Sequence, residues 1–180
     1  LVVLALFAGA ARAGVVSAEF FWVHRVEALA GACALGLLFT AAIVAGAPAT
    51  GRGLLADVYL GRRANPQWGD GRVDAKMALY LVGAVLLELN LVSFAAHQAR
   101  AFGHLAPGVA LYVALFSFFA MEYLFFEEVH LYTYDFVAER VGFKLGWGCV
   151  VFYPNFYCVG LWSAAAKPDA RPSLATMAAA

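Results

Sequence analysis

The sequence predicts an all-α fold, a polytopic bundle of transmembrane helices with about five spans and the start of a sixth. Three observations predict it. Of the 180 residues, 64% are apolar and only 13% charged, against roughly 45–50% and about 25% in an ordinary soluble domain. The apolar residues gather in stretches of roughly the 20 residues that a helix needs to cross a bilayer. Polar, Gly- and Pro-containing clusters separate those stretches. Open strands are excluded at membrane depth because lipid offers backbone groups no hydrogen-bond partner.

Part of a first span lies at 1–16, and a second runs from Leu29 to Ala47. The second ends in Gly46-Ala-Pro-Ala-Thr-Gly51, a cluster that breaks helices. A third covers Met77 to Ala96, a fourth Leu105 to Phe126 and a fifth Gly146 to Ala166, and a sixth begins after Pro172. The chain starts and stops inside apolar stretches, so 1–180 reads as one membrane domain cut from a longer protein at both ends.

Two connections, 51–76 and 127–145, are long and polar, and alternating the spans puts both on one side of the membrane. They carry Arg52, Arg62, Arg63, Arg72, Lys76, Arg140 and Lys144, seven of the twelve cationic residues, so the positive-inside tendency assigns them to the cytoplasm. The expected location is a multi-pass integral protein of a bacterial inner membrane or the endoplasmic reticulum. Twelve cationic and twelve anionic residues leave no basic field for nucleic acid. Cys33, Cys149 and Cys158 are too few and too scattered for a disulfide framework or a paired-Cys zinc site. No two of His24, His97, His104 and His130 share i, i+4 spacing, so no metal is expected. The partner that the composition implies is the bilayer.

Glu88, in the middle of the third span, and Glu122, near the end of the fourth, are expensive in hydrocarbon and so face a partner or a cavity. Asn90, Ser93, His97 and Gln98 follow near one face of the same helix and fit a role as glue between helices. The densest constellation is 127–142, with four carboxylates, a His, two Tyr and an Arg between two apolar spans. Adjacent carboxylates at a membrane boundary suit proton donation near neutrality. A solvated cap between helices has the same composition, and residue types alone leave both readings open.

At 125–157 the chain reads FFEEVHLYTYDFVAERVGFKLGWGCVVFYPNFY, which resembles the membrane sterol reductases in their order of W-N-E-E, T-x-D, D-G-F-G-F-x-L-x-x-G-D and P-F-x-Y. Gly61-Arg-Arg-Ala-Asn-Pro66, Asp74-Ala-Lys76 and Ser93-Phe-Ala-Ala-His-Gln98 resemble that family's G-R-x-x-N-P-R, D-x-K and S-x-A-A-K-Q elements. The family comprises the delta(14)-, delta(7)- and delta(24(28))-sterol reductases and the reductase domain of lamin B receptor. The resemblance implies an integral membrane enzyme of sterol biosynthesis that takes hydride from NADPH and adds a proton across a carbon–carbon double bond of a sterol. It implies Glu127, Glu128, Tyr132, Tyr134 and Asp135 as catalytic residues, and Glu122, Phe126, Phe143, Trp147 and Tyr157 as the substrate wall. NADPH contacts are expected C-terminal to this chain, since the family's basic segments of that region do not occur here. The family's Trp-Asn is Phe125-Phe126, its Gly-Asp is Gly148-Cys149, and its E-x-R-P-G is not recovered at Leu79 to Ala84. These departures leave the substrate open. Two alternatives remain: a lipid-binding module without catalysis, and a membrane methyltransferase of similar helical layout.

Overall fold

The computed structural model describes residues 2–168. Its helices are α1 (Val2–Arg12), α2 (Phe20–Val23), α3 (Arg25–Ala45), α4 (Leu54–Leu60), α5 (Ala75–Phe102), α6 (Pro107–Phe125), α7 (Glu127–His130), α8 (Tyr134–Val137), α9 (Phe143–Trp147), α10 (Tyr153–Phe156) and α11 (Val159–Ala164). A π turn, Gly148–Phe152, joins α9 to α10. The strands are β1 (Gln67–Trp68) and β2 (Val73–Asp74), an antiparallel hairpin around Gly69-Asp70-Gly71, all three with positive φ. The chain is an all-α, multi-pass integral membrane bundle. Among the described residues α3, α5 and α6 are long and apolar enough to cross a membrane. At 1.5 Å per residue the 21 residues of α3 span roughly 31 Å, the thickness of a hydrocarbon core.

The central element is α5. Its 28 residues are capped by Asp74, whose carboxylate accepts from the N–H groups of Lys76 and Met77, and by Gly103 in the left-handed region. Leu87, Leu91 and Phe94 are fully buried against Val109 and Ala120 of α6, Leu161 of α11 and Trp22 of α2. The polar positions of α5 find neighbours. Asn90 donates to the Pro154 carbonyl at 2.9 Å. Ser93 Oγ accepts from the N–H groups of Phe21 and Trp22 at 3.0 and 3.2 Å. His97 donates to Glu19 at 2.8 Å, and Gln98 donates to the carbonyls of Ala164 and Lys167. Helix glue is what these residues provide.

The first apolar stretch forms the eleven-residue α1, and the fifth is segmented rather than continuous. The π turn lies where Pro154, which has no N–H and whose ring crowds the carbonyl four residues back, disturbs the ladder, and the helix then runs on through α10 to Phe156 before it breaks at Tyr157 and Cys158. Side chains take up groups that the broken ladder leaves free: Asn155 donates to the Val151 carbonyl, and Cys158 Sγ lies 3.2 Å from the Pro154 carbonyl. Opposite the π turn, α5 carries Gly83, where a Cβ would lie 2.5 Å from the Cys149 carbonyl oxygen. The expected sixth span lies outside the described residues.

The connections at 46–74 and 126–142 touch. Val141 N–H donates to the Arg63 carbonyl at 2.9 Å, and Arg140 donates to the Arg62 carbonyl. Gly61, at φ +91°, sits against Val141 and Gly142 too closely for a side chain. Asp57, almost fully buried, organises the first connection by accepting from Thr50 N–H, the Thr50 hydroxyl and Arg62 Nε. The Thr50 hydroxyl, with Arg62 behind it, holds the Asp57 carboxyl below its ordinary value. A carboxyl with a depressed folded pKa adds stability that is complete above its unfolded pKa and disappears as pH falls through the folded one. Asp57→Asn is therefore expected to lower the thermal midpoint in detergent at pH 7, with the gap to wild type closing under acid. Melting curves from pH 7 down to pH 3 check this.

Candidate functional site

The site is built from the N-terminal turns of α5. Lys76 is completely buried, and its ammonium donates to the carbonyls of Asp135, Phe136 and Glu139 at 2.8, 2.9 and 2.8 Å. These carbonyls belong to α8 and the residues just after it, where a helix presents unpaired acceptors and favours a cation. The sequence suggests a carboxylate of the second connection as partner for Lys76 or Arg62. Lys76 instead takes backbone carbonyls, and Arg62 bonds Asp57 of its own connection.

Four residues after Lys76, on the same helix face, Tyr80 donates its hydroxyl proton to Oδ2 of Asp135. Both line a cavity of about 260 Å³. Phe119 and Tyr123 of α6, and Cys149, Phe152, Tyr153 and Tyr157 of the segmented run, complete most of its wall. Glu139 and Lys144 also line it and are ion-paired with each other. Behind Tyr80 and Tyr123 lies a second cavity of about 240 Å³, lined also by Arg72, Asp74, Glu127 and His130. The buried His130 ring packs on Tyr123 at a centroid distance of 3.6 Å and on Tyr80 at 5.9 Å, and its Nε2 donates to the Tyr123 carbonyl.

The expected site residues fall in several places. Asp135 and Tyr157 line the first cavity, and Glu127 lines the second. Glu122 and Glu128 are exposed. Tyr132 and Tyr134 are 84% and 72% exposed. Phe126 is half exposed and packs edge-on to Phe125. Phe143 and Trp147 stack at 5.0 Å on the α3 side of the bundle, where Trp147 meets Gly36. Sequence reasoning missed Tyr80, Tyr123, Tyr153, Glu139, Lys144 and Cys149 as neighbours of Asp135. One signal was available: Lys76 and Tyr80 share a helix face one turn apart.

A dinucleotide diphosphate requires gathered free cations or the open N–H groups of a helix N-terminus. Around the cavity Lys76 is bound by three carbonyls, Lys144 by Glu139, Arg140 by the Arg62 carbonyl and Arg62 by Asp57. Among the described residues no group of three or more His, Cys, Asp or Glu is placed to hold a metal ion.

A profile of the ergosterol biosynthesis ERG4/ERG24 family matches residues 34–175. The chain belongs to that family. Similar proteins include the delta(14)-sterol reductase erg24B of Aspergillus fumigatus, 28% identical over 58% of this chain and 22% of its own length. The delta(14)-sterol reductase of Neurospora crassa is 31% identical over 58% of this chain and 22% of its own. That of Methylotuvimicrobium alcaliphilum is 32% identical over 56% and 23%. The chain thus spans between a fifth and a quarter of the length of these relatives. The match includes both segments that Lys76 joins.

Lys76→Met would leave three partly buried carbonyls without their donor. It is expected to cost about 3 kcal/mol and to open the segment 131–140 to protease, while Lys76→Arg keeps part of the stability. Thermal melting and limited proteolysis in detergent check this.

Proposed function

We propose that the whole protein reduces a carbon–carbon double bond of a sterol or related polycyclic lipid, as a delta(14)-sterol reductase, with the acid supplied by Asp135 and Tyr80. The observation that carries this reading is the phenol–carboxyl pair on the wall of a largely aromatic cavity, with the Glu139–Lys144 ion pair also on its wall, inside a membrane bundle. Family membership and the likeness to delta(14)-sterol reductases support it. A rigid apolar lipid fits a pocket of this lining, and a few polar groups fix its orientation.

Saturating an isolated double bond needs a proton on one carbon and a hydride on the other. Tyr80 occupies Oδ2 of Asp135, which leaves Oδ1 to carry the acid proton toward the alkene carbon. The neighbouring carbon then becomes cationic, and the faces of Tyr123, Tyr153 and Phe119 offer it a negative quadrupole. The described residues hold no hydride donor, and NADPH is the donor that the family resemblance implies. Glu127 and Glu128 stand at the loop side, away from the Asp135 cavity wall, and we assign them no direct proton transfer.

General acids contribute about 10²–10⁴ in rate. Asp135→Asn in the full-length protein should therefore lower turnover of a delta(14)-sterol with NADPH by about that factor, and Tyr80→Phe should lower it by less, with sterol affinity little changed in both. Steady-state kinetics and sterol-binding titration measure this. Normal turnover by Asp135→Asn would overturn the assignment of the acid, and a wild-type protein that binds sterol without reducing it would be a binding module.

A further inference from the structure

We infer that Glu139 is the residue through which the cavity acid regains its proton after each turnover, with Lys144 returning it to its carboxylate form. The inference rests on Asp135 as the acid of the reaction. Such an acid ends each cycle as a carboxylate facing an apolar wall, so it needs a defined connection to water.

Glu139 is four residues beyond Asp135, and Lys76 holds the backbone carbonyl of both at 2.8 Å, which fixes the two carboxyl groups over one cavity. The Glu139 side chain is 9% exposed and that of its ion-pair partner Lys144 is 45% exposed, so the pair marks the mouth. Of the rest of the wall, Phe119, Leu145, Gly148 and Phe152 have no proton-transfer group and Tyr123, Tyr153, Tyr157 and Cys149 offer only hydroxyls and a thiol, so among the described residues Glu139 is the one carboxyl besides Asp135 on it. From the second cavity the way is closed by the packed rings of Tyr80, Tyr123 and His130. Charged and titratable groups facing the pair are Lys76 and Tyr80 of α5, Tyr59 of α4, Asp135 of α8 and Cys149 of the π turn. Lys144 is held in its charged form by the hydrogen bond from its ammonium to Glu139, which raises its pKa.

The proton balance is simple. At rest Glu139 is a carboxylate beside the Lys144 ammonium. After Asp135 has given its proton to the alkene carbon, a proton from water at the mouth forms an O–H bond on Glu139. That bond breaks as a new O–H bond forms on Asp135, and Glu139 returns to the carboxylate that Lys144 favours. Lys144 keeps its own protons throughout, and the hydride donor is not involved.

A recharging residue has a kinetic signature that a structural one lacks, because the first turnover uses a proton already in place. In the full-length protein, Glu139→Gln is expected to keep the single-turnover rate and to lower steady-state kcat about tenfold or more, with KM falling in proportion because the slowed step follows the chemistry, so that kcat/KM is unchanged. Added formate or acetate should restore kcat in Glu139→Gln, and Glu139→Asp should retain most of it. Equal losses in both phases without rescue would make Glu139 structural and overturn the inference, as would an unchanged steady state. Asp135→Asn separates the two readings. Slow chemistry in its first turnover, alongside a normal Glu139→Gln, overturns only the relay, whereas normal chemistry in Asp135→Asn overturns the acid assignment and the relay with it.

Discussion

The buried ammonium of Lys76 is the constraint on which the rest of the site depends. A charge taken out of water costs several kcal/mol unless its hydrogen-bonding capacity is met. An ammonium has three donors, and three carbonyls from one short stretch of the second connection meet all of them. That arrangement joins two segments some sixty residues apart in the chain. It also places Tyr80, one turn further along α5, under the carboxyl of Asp135. The family's D-x-K element is therefore a structural device in this chain: Asp74 caps the helix and Lys76 fastens the second connection to it.

The cavity exists because the segment opposite α5 is not a regular helix. Gly148–Phe152 winds as a π turn, a feature frequent at functional sites, and α10, which carries Pro154, follows it directly before the chain turns at Tyr157. The turns between Gly148 and Tyr157 direct Phe152, Tyr153 and Tyr157 to the same opening. Gly83 lets α5 approach the Cys149 carbonyl closely enough to close one side of it. Rigid aromatic walls on helical supports are what a shape-selective lipid pocket requires.

Away from the cavity, the polar side chains of α5 are mostly satisfied within the bundle, as membrane depth demands. Glu88 is the partial exception. One of its oxygens accepts from Ser117 at 3.0 Å, while the other has no partner among the described residues. At the far end of α5, Glu19 gathers His97 and Arg100, while Arg25 lies over the Trp22 ring at 4.3 Å. That group ties the N-terminal segment to the end of α5 opposite the site.

The sequence by itself determined the class of the fold, because apolar stretches of bilayer length leave the backbone no option but helix. It also located the connection that carries Asp135, because carboxylates, Tyr and His crowd there between two spans. Which of those side chains meet was decided only by the tertiary structure. In sequence, Glu127, Glu128, Tyr132, Tyr134 and Asp135 are equivalent polar neighbours, but 127–137 folds into two short helices whose faces point different ways. Tyr132 and Tyr134 turn outward, Asp135 turns in, and its phenol partner comes from α5, 55 residues earlier. Likewise the hydropathy of the fifth stretch could not reveal a π turn, since breaking the helix there conserves its apolar character. Hydrophobicity acts on whole segments and is legible in one dimension, whereas a hydrogen bond between two side chains depends on the packing angles and backbone breaks that bring them together.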